Sequence, residues 1–208
     1  MEITLLTVGE LAVNCYLVSQ EDRAVVIDPG DDAEVILGVL EERSLKLEGI
    51  INTHGHFDHI GANGALKEAT EAALYIHRGD AQCLQDAGAN LSQWAGLGPV
   101  VSPPADELLS GGEVLQLAGL EFEVFHTPGH SPGCICLKVE NVLFTGDTLF
   151  AGSVGRVDFP GSSWESLMKS LKEVILPLDP DTVIYPGHGP ASTLRAEKEH
   201  NPFLTGRL

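Results

Sequence analysis

Short apolar runs broken by glycine, proline and acidic residues fill the first quarter of the chain. Residues 3–8, 13–19 and 24–28 read as three strands, and "EGIINT" at 48–53 as a buried fourth. Between the third and fourth, "PGDD" turns the chain. Asp31 or Asp32 there is placed to cap a helix through "AEVILGVLEERS". The pattern then predicts a helix from Phe57 to about Ala69 and a strand at 73–77. Residues 78–104 mix helix-like apolar spacing with Gly96, Gly98, Pro99, Pro103 and Pro104, which predicts short helices and a long connection. Strands follow at 113–117, 120–126, 134–139 and 141–145, the last two joined by a tight turn near Glu140 and Asn141. "SSWESLMKSLKEVIL" is an amphipathic helix. Ser162 and Glu165 fit a capping box, and Trp164, Leu167, Met168, Leu171, Val174 and Ile175 share one face. A strand in "TVIY" leads to Pro186, and a final helix covers roughly 192–200.

This order of elements predicts a layered α/β fold with two sheets and helices outside them. No repeat, low-complexity stretch or flexible linker interrupts it, so residues 1–208 are expected to form a single domain. The hydrophobic content of 43% is enough for a packed core. No run of eighteen apolar residues suggests a membrane span, and Glu2 and Glu10 make the N-terminus a pair of strands rather than a signal peptide. The four cysteines show no C-x-x-C pair. They are expected as reduced thiols of a cytoplasmic protein, with Cys134 and Cys136 as small residues on one face of a strand.

Charge narrows the function classes. Twelve Lys and Arg against 30 Asp and Glu give a net charge of −18. Such a surface repels phosphate backbones, so nucleic-acid binding and nuclease activity are not expected. Anionic substrates would need local positive charge in the site.

Three of the eight histidines fall within "THGHFDH" at 53–59. His54 and His56 are two apart, so in an extended segment they face one side and can chelate one ion. Asp58 and His59 lie across the turn and can address another. Imidazole and carboxylate suit zinc, iron and manganese. Gly55 is expected to permit unusual backbone angles and to leave room between the rings. Two Pro-Gly-His turns, "TPGHSPG" and "YPGHGPA", follow strand-like runs and hold His130 and His188. In "VLFTGDTLF", Asp147 also follows an apolar strand, where a buried carboxylate needs a cation or several hydrogen bonds. Strand ends are where α/β folds build sites. Asp28 in "VIDPG" is either a turn residue before Pro29 or a carboxylate that fixes a ligand histidine. His77 and His126 read as structural strand-end residues, and His200 as helix surface.

H-x-H-x-D-H at 54–59, followed in order by His130, Asp147 and His188, resembles the metallo-β-lactamase superfamily over nearly the whole chain, from "VVIDPGDD" onward. The resemblance implies an αββα four-layer sandwich. It implies one metal on His54, His56 and His130, a second on Asp58, His59 and His188, and Asp147 as the bridge. Within that superfamily, "FTGDTLF", "GSVGRVDFP", "PGHGPASTL" and "NPFLTG" resemble short, single-domain bacterial members of the hydroxyacylglutathione hydrolase (glyoxalase II) branch. Full-length hydrolases of that branch carry a C-terminal helical domain that supplies cations to glutathione. This sequence reaches Leu208 where that domain would start. They also carry a Lys and a Tyr after the Gly-Asp-Thr-Leu-Phe segment, where the nearest equivalents here are Arg156 and Asp158. Arg156 is therefore either a contact for a substrate carboxylate or half of a structural ion pair with Asp158.

The implied chemistry is thioester hydrolysis, with S-lactoylglutathione as the type substrate. Two divalent ions, zinc first and iron or manganese as alternatives, would hold a shared water and lower its pKa to around 7. The resulting hydroxide would attack the acyl carbon, with Asp58 helping to orient it, and no protein nucleophile is needed. Other readings stay open. A persulfide dioxygenase shares this fold and a "GRVDF"-like segment, and would use a single iron on ligands including His54, His130 and Asp147. Lactonase or β-lactamase activity fits the same metal set, because the metals alone do not choose the acyl group. A non-catalytic metal-binding module is a further class.

Overall fold

The computed structural model describes residues 1–96 and 98–206. In the first sheet, β1 (Glu2–Val8), β2 (Val13–Gln20) and β3 (Arg23–Ile27) form an antiparallel meander. Parallel strands β4 (Lys46–Ile51), β5 (Ala73–His77) and β6 (Glu107–Leu109) continue it in that order. The second sheet runs β7 (Val114–Leu117), β8 (Leu120–His126), β9 (Ile135–Val139) and β10 (Val142–Gly146), all antiparallel. Parallel β13 (Val183–Pro186) and then antiparallel β14 (Ser192–Thr193) complete it. A small hairpin of β11 (Leu149–Phe150) and β12 (Ser153–Val154) leaves the end of β10.

Three apolar layers hold these parts together. Between the sheets lie Val18, Val25, Ile27 and Ile51 with Phe122, Ile135, Leu137 and Phe144. On the outer face of the first sheet, Val26, Ile50 and Leu74 pack with Ile36 and Leu40 of α1 (Ala33–Glu42) and Leu66 of α3 (Asn63–Thr70). On the outer face of the second sheet, Leu143 and Ile184 meet Leu167 of α5 (Trp164–Ser170), Leu171 and Ile175 of the wider turn that continues it, and Leu194 of α6 (Leu194–His200). The result is a four-layer αββα sandwich: the element order predicts two sheets with helices outside them, and the family resemblance implies the four layers.

Several local expectations change. The helix predicted from Phe57 to Ala69 is two, α2 (Phe57–Ile60) and α3. The Pro29-Gly30 turn presses into the break, and a Cβ at Gly30 would stand 1.7 Å from the Asp58 carbonyl oxygen. Neither Asp31 nor Asp32 caps α1 with its side chain. Asp32 adopts a left-handed conformation, and its carboxylate instead accepts from Gly9 N at 2.8 Å. The cap of α5 is Ser163, one residue later than the expected Ser162, whose hydroxyl donates to the His130 carbonyl at 2.7 Å. Trp164 is 43% exposed, off the buried face where the spacing put it. In the difficult stretch, a 3-10 helix at Arg78–Leu84 and α4 (Ser92–Ala95) precede β6, a strand too short to give a periodic signal. α7 (Pro202–Thr205), β11, β12 and β14 are missed for the same reason.

The sheets are also joined by polar contacts. Tyr16 Oη donates to the Pro186 carbonyl at 2.7 Å, and Asn14 Nδ2 donates to the carbonyls of Pro186 and Gly189. Thus β2 holds the turn that carries His188. Tyr16→Phe removes one of the two donors on Pro186 and is expected to lower stability by about 0.5–1.5 kcal/mol in urea denaturation. Loss of stability beyond that range would mean that the hydroxyl does more than satisfy this carbonyl.

Candidate metal centre

All the histidines of the H-x-H-x-D-H segment leave the end of β4 through a turn that α2 closes. Asp28, at the end of β3, fixes that turn. Its Oδ1 accepts from Thr53 N at 2.7 Å and its Oδ2 from Thr53 Oγ1 at 2.6 Å. The same Oδ2 lies 3.0 Å from His59 Nδ1. Asp28 itself sits in the left-handed backbone region at φ 52°, a costly conformation for a residue before proline, and one found at sites where geometry is over-determined. Of its two sequence readings, turn residue and anchor of a histidine, the structure joins both in one side chain.

His130 comes from the turn between β8 and β9. Its Nδ1 donates to the Arg156 carbonyl at 2.9 Å, so Nε2 faces the site, 2.8 Å from His56 Nδ1. The ring of His54 completes the group, with centroids 4.7 Å from His56 and 4.9 Å from His130. Asp58, His59 and His188 form a second group: His188 Nε2 lies 3.3 Å and His59 Nε2 3.7 Å from Asp58 Oδ2. In each of the two triads the potential ligand atoms lie within 4.8 Å of one another. Asp147 stands between them, with Oδ2 3.5 Å from His130 Nε2 and 3.8 Å from His188 Nε2, and Oδ1 3.6 Å from His59 Nε2.

These groups fit metal ions and little else. His54 Nε2, His59 Nε2 and Asp147 Oδ1 are buried without a hydrogen-bond partner, although each orphaned buried polar atom costs on the order of 1–3 kcal/mol. Burial and the adjacent imidazoles push His54 well below the usual histidine range, and burial and His130 push His56 to about 3. Both therefore present neutral rings with lone pairs for a cation. The second triad has the opposite balance. Burial opposes charge on His59, but Asp58, Asp28 and Asp147 outweigh it and raise its pKa to about 10. Burial likewise resists ionisation of Asp58, yet His59 and His188 hold it well below the usual carboxylate range. A cluster of carboxylates that demands positive charge, beside imidazoles that offer lone pairs, is a cation site.

Close approach restricts the backbone here. A Cβ at Gly187 would come within 2.3 Å of Asp147 Oδ1 and 2.8 Å of His59 Cε1. Gly55 has no unusual backbone angle, contrary to expectation. It is needed because a Cβ there would lie 2.5 Å from the Cys83 Cβ.

Asp80 was not singled out in the sequence. It is buried in the 3-10 helix after β5, and its Oδ2 accepts from Gly55 N at 2.9 Å and Ser131 Oγ at 2.5 Å, while Oδ1 accepts from Gly133 N at 2.7 Å. One carboxylate thus ties the His54–His56 segment to the His130 turn. The signal available was an aspartate just after an apolar strand, "ALYIHRGD", the same setting as Asp147. His77 and His126 are outside the cluster, stacked on each other with centroids 3.9 Å apart, and His200 is exposed.

Arg156 borders the metal cavity, a space of about 340 Å³ that Phe150, Phe159 and Leu11 also line. Its guanidinium makes two hydrogen bonds to Asp158, at 3.0 and 2.8 Å, and lies 4.5 Å from the Phe159 ring centroid. The ion pair of the sequence reading is therefore formed, at the rim of the site. Among the described residues, no helix is long and apolar enough to cross a membrane.

Comparisons with known proteins place the fold. Hydroxyacylglutathione hydrolase GloC of Haemophilus influenzae is 37% identical over the full length of both chains. Among solved structures, the BLEG-1 B3 metallo-β-lactamase superposes with a TM-score of 0.96 at 39% identity, covering 99% of this chain and all of that one. TTHA1623, solved in a di-iron-bound form, gives 0.87 at 41%, covering 97% of this chain and all of that one. ETHE1 from Myxococcus xanthus gives 0.83 at 30%, covering 99% and 85%. The metallo-β-lactamase superfamily model matches residues 8–188. With that match over most of its length, and a His/Asp cluster built for cations at the strand ends, the chain belongs to the metallo-β-lactamase superfamily.

Proposed function

We propose that the chain is a dinuclear-metal hydrolase of small thioesters, with S-acylglutathiones such as S-lactoylglutathione as the substrate class. The observation that carries this reading is the pair of triads with Asp147 between them. A full-length relative whose name is hydroxyacylglutathione hydrolase supports the choice of substrate. Two divalent ions supply a Lewis acid and an acidified water at neutral pH. His54, His56 and His130 would hold one ion, and Asp58, His59 and His188 the other, with Asp147 shared. Zinc suits the ligand set first, and iron or manganese also fit.

The protein's own groups set the geometry of the reaction. Asp58 lines the metal cavity, where it would orient the attacking water by accepting a hydrogen bond from it. The water oxygen bonds to the acyl carbon, the carbon–sulfur bond breaks, and the sulfur leaves with the electron pair as a thiolate. The water's two protons end on the thiol and the released acid, or on the solvent. Phe150 and Phe159 border the site and limit its solvation. Arg156, among the described residues the one Lys or Arg lining the metal cavity, attracts a glutathione carboxylate, but Asp158 already shares its charge.

The persulfide dioxygenase reading needs a single iron and leaves part of the ligand set idle. Elemental analysis of protein purified without chelator is expected to give near two metal equivalents per chain. One iron per chain, with oxygen consumption on glutathione persulfide, would replace the hydrolase reading.

Asp147→Ala is expected to cut thioester hydrolysis by at least a hundredfold, while His200→Ala, on the exposed surface, leaves it within about twofold. Comparable losses from both would mean that Asp147 does not bridge the centre.

Arg156→Ala is expected to raise KM for glutathione thioesters by up to about fivefold. That is the range for an exposed charge that is screened and already paired. A small neutral thioester should be unaffected in the same steady-state assay. Equal losses on both would assign Arg156 to structure alone.

A further inference from the structure

Next to the metal cavity lies a larger space of about 590 Å³ whose walls are almost entirely apolar. Leu11, Phe57, Leu91 and Phe159 line both spaces, so the two adjoin. Trp94, on α4, forms the outer wall and is 74% exposed, and Leu11 is 48% exposed. Large apolar side chains left open beside a reactive centre are unfavourable in water and mark a surface that a ligand covers. The wall is also fixed in place. Leu91 is held at φ 73°, a strained conformation for a bulky residue, and the neighbouring Asn90 carbonyl accepts from Phe57 N at 3.0 Å, tying the loop to the helix that carries Asp58 and His59.

Charge decides which half of a thioester lies there. Among the described residues that line the trough Glu10 is the one charged side chain, and Arg156 lines the metal cavity but not the trough. A thiol half that carries carboxylates, as glutathione does, is repelled from Glu10 and drawn to the Arg156 side. We propose that the trough is the acyl subsite, and that it takes an apolar aliphatic chain or aryl ring of the substrate, with Trp94, Phe57 and Leu91 setting the preferred length. This rests on the reading of the centre as an acyl hydrolase. It adds a preference within the class of small thioesters: those with apolar acyl groups longer than acetyl or lactoyl are hydrolysed faster, and lactoyl thioesters remain slower substrates.

Two measurements test it, one of them independent of turnover. The chain has two tryptophans, so Trp164→Phe leaves Trp94 as the sole reporter. Titrating the metal-loaded variant with hexanoate is expected to shift Trp94 emission to the blue, saturating at concentrations at least tenfold below those needed for acetate. An unchanged Trp94 signal with hexanoate would overturn the trough. Separately, kcat/KM for acetyl, butanoyl and hexanoyl thioesters of one thiol is expected to rise two- to fourfold per methylene, the gain from burying each in an apolar wall. Trp94→Ala should reduce the hexanoyl-to-acetyl ratio at least tenfold, and Trp94→Phe should restore most of it. Because Trp94 is exposed, neither change threatens folding. Hydrolysis that is indifferent to chain length would overturn the trough and leave the hydrolase reading standing. No hydrolysis of any thioester, with hexanoate still seen by Trp94, would sink the hydrolase reading and keep the apolar site.

Discussion

A metal centre between two sheets requires loops from both to stay within ligand reach, and in this protein buried carboxylates impose that constraint. Asp80 accepts from Gly55 N, Ser131 Oγ and Gly133 N, so the segment after β4 and the turn after β8 cannot separate without breaking charge-assisted bonds inside the protein. Asp28 accepts twice from Thr53 within the first sheet, and its Oδ2 lies 3.0 Å from His59 Nδ1. An ionised carboxylate away from water is costly unless several donors satisfy it. Each of these two meets that condition with donors from the loops that carry the ligand histidines. The desolvation cost of the carboxylates is thereby converted into fixed ligand positions, and Gly55 and Gly187 leave no space for the loops to drift into.

That rigidity permits the unequal electrostatics of the two triads. His54 and His56 are buried among other imidazoles and stay neutral, whereas His59 is surrounded by three carboxylates and attracts charge. In a looser loop the rings would rotate toward water and each would titrate near its ordinary value. Here they cannot, and the orphaned nitrogens and the Asp147 oxygen keep their unmet demand. The two groups thus differ in charge character: His54 and His56 are held neutral, Asp58 makes the other group more anionic, and Asp147 lies between them.

The cluster that the fold assembles was legible in the sequence because its residues are concentrated. Three histidines and an aspartate in one heptapeptide, and two Pro-Gly-His turns after apolar strands, survive any error in element boundaries. The layer order was legible for a similar reason, since β2 and β3 are buried along nearly their whole length and Leu167, Leu171 and Ile175 form a buried apolar stripe. What failed was local and had physical causes. The break between α2 and α3 is set by Gly30 pressing on the Asp58 carbonyl, a contact between residues that no helical period reports. Ser163 rather than Ser162 caps α5 because Ser162 is drawn to the His130 carbonyl, a tertiary demand that outweighs the local pattern. Asp80 carries only a weak signal, its place just after an apolar strand, because a single aspartate in an irregular stretch looks like any turn residue. Its meaning comes from Gly55, Ser131 and Gly133, which the fold alone brings to it.

The same irregular stretch, 78–104, does two jobs that a periodic element could not combine. At its start Asp80 points into the protein and locks the ligand loops, and toward its end Trp94 stands open beside the metal cavity. Between them, Asn90 donates to the carbonyls of Cys83 and Val100 and accepts from Phe57 N, so the segment is cross-braced to α2. A regular helix would satisfy its own carbonyls and have none to offer to Phe57. Irregular backbone costs the chain conformational order, but it frees donors and acceptors for contacts across the site. In a superfamily whose members share one metal scaffold, such a segment is where differences in substrate can be written without disturbing His54, His56 or Asp147. The ligands are anchored from the sheet ends, and the wall facing them is anchored separately, through Asn90.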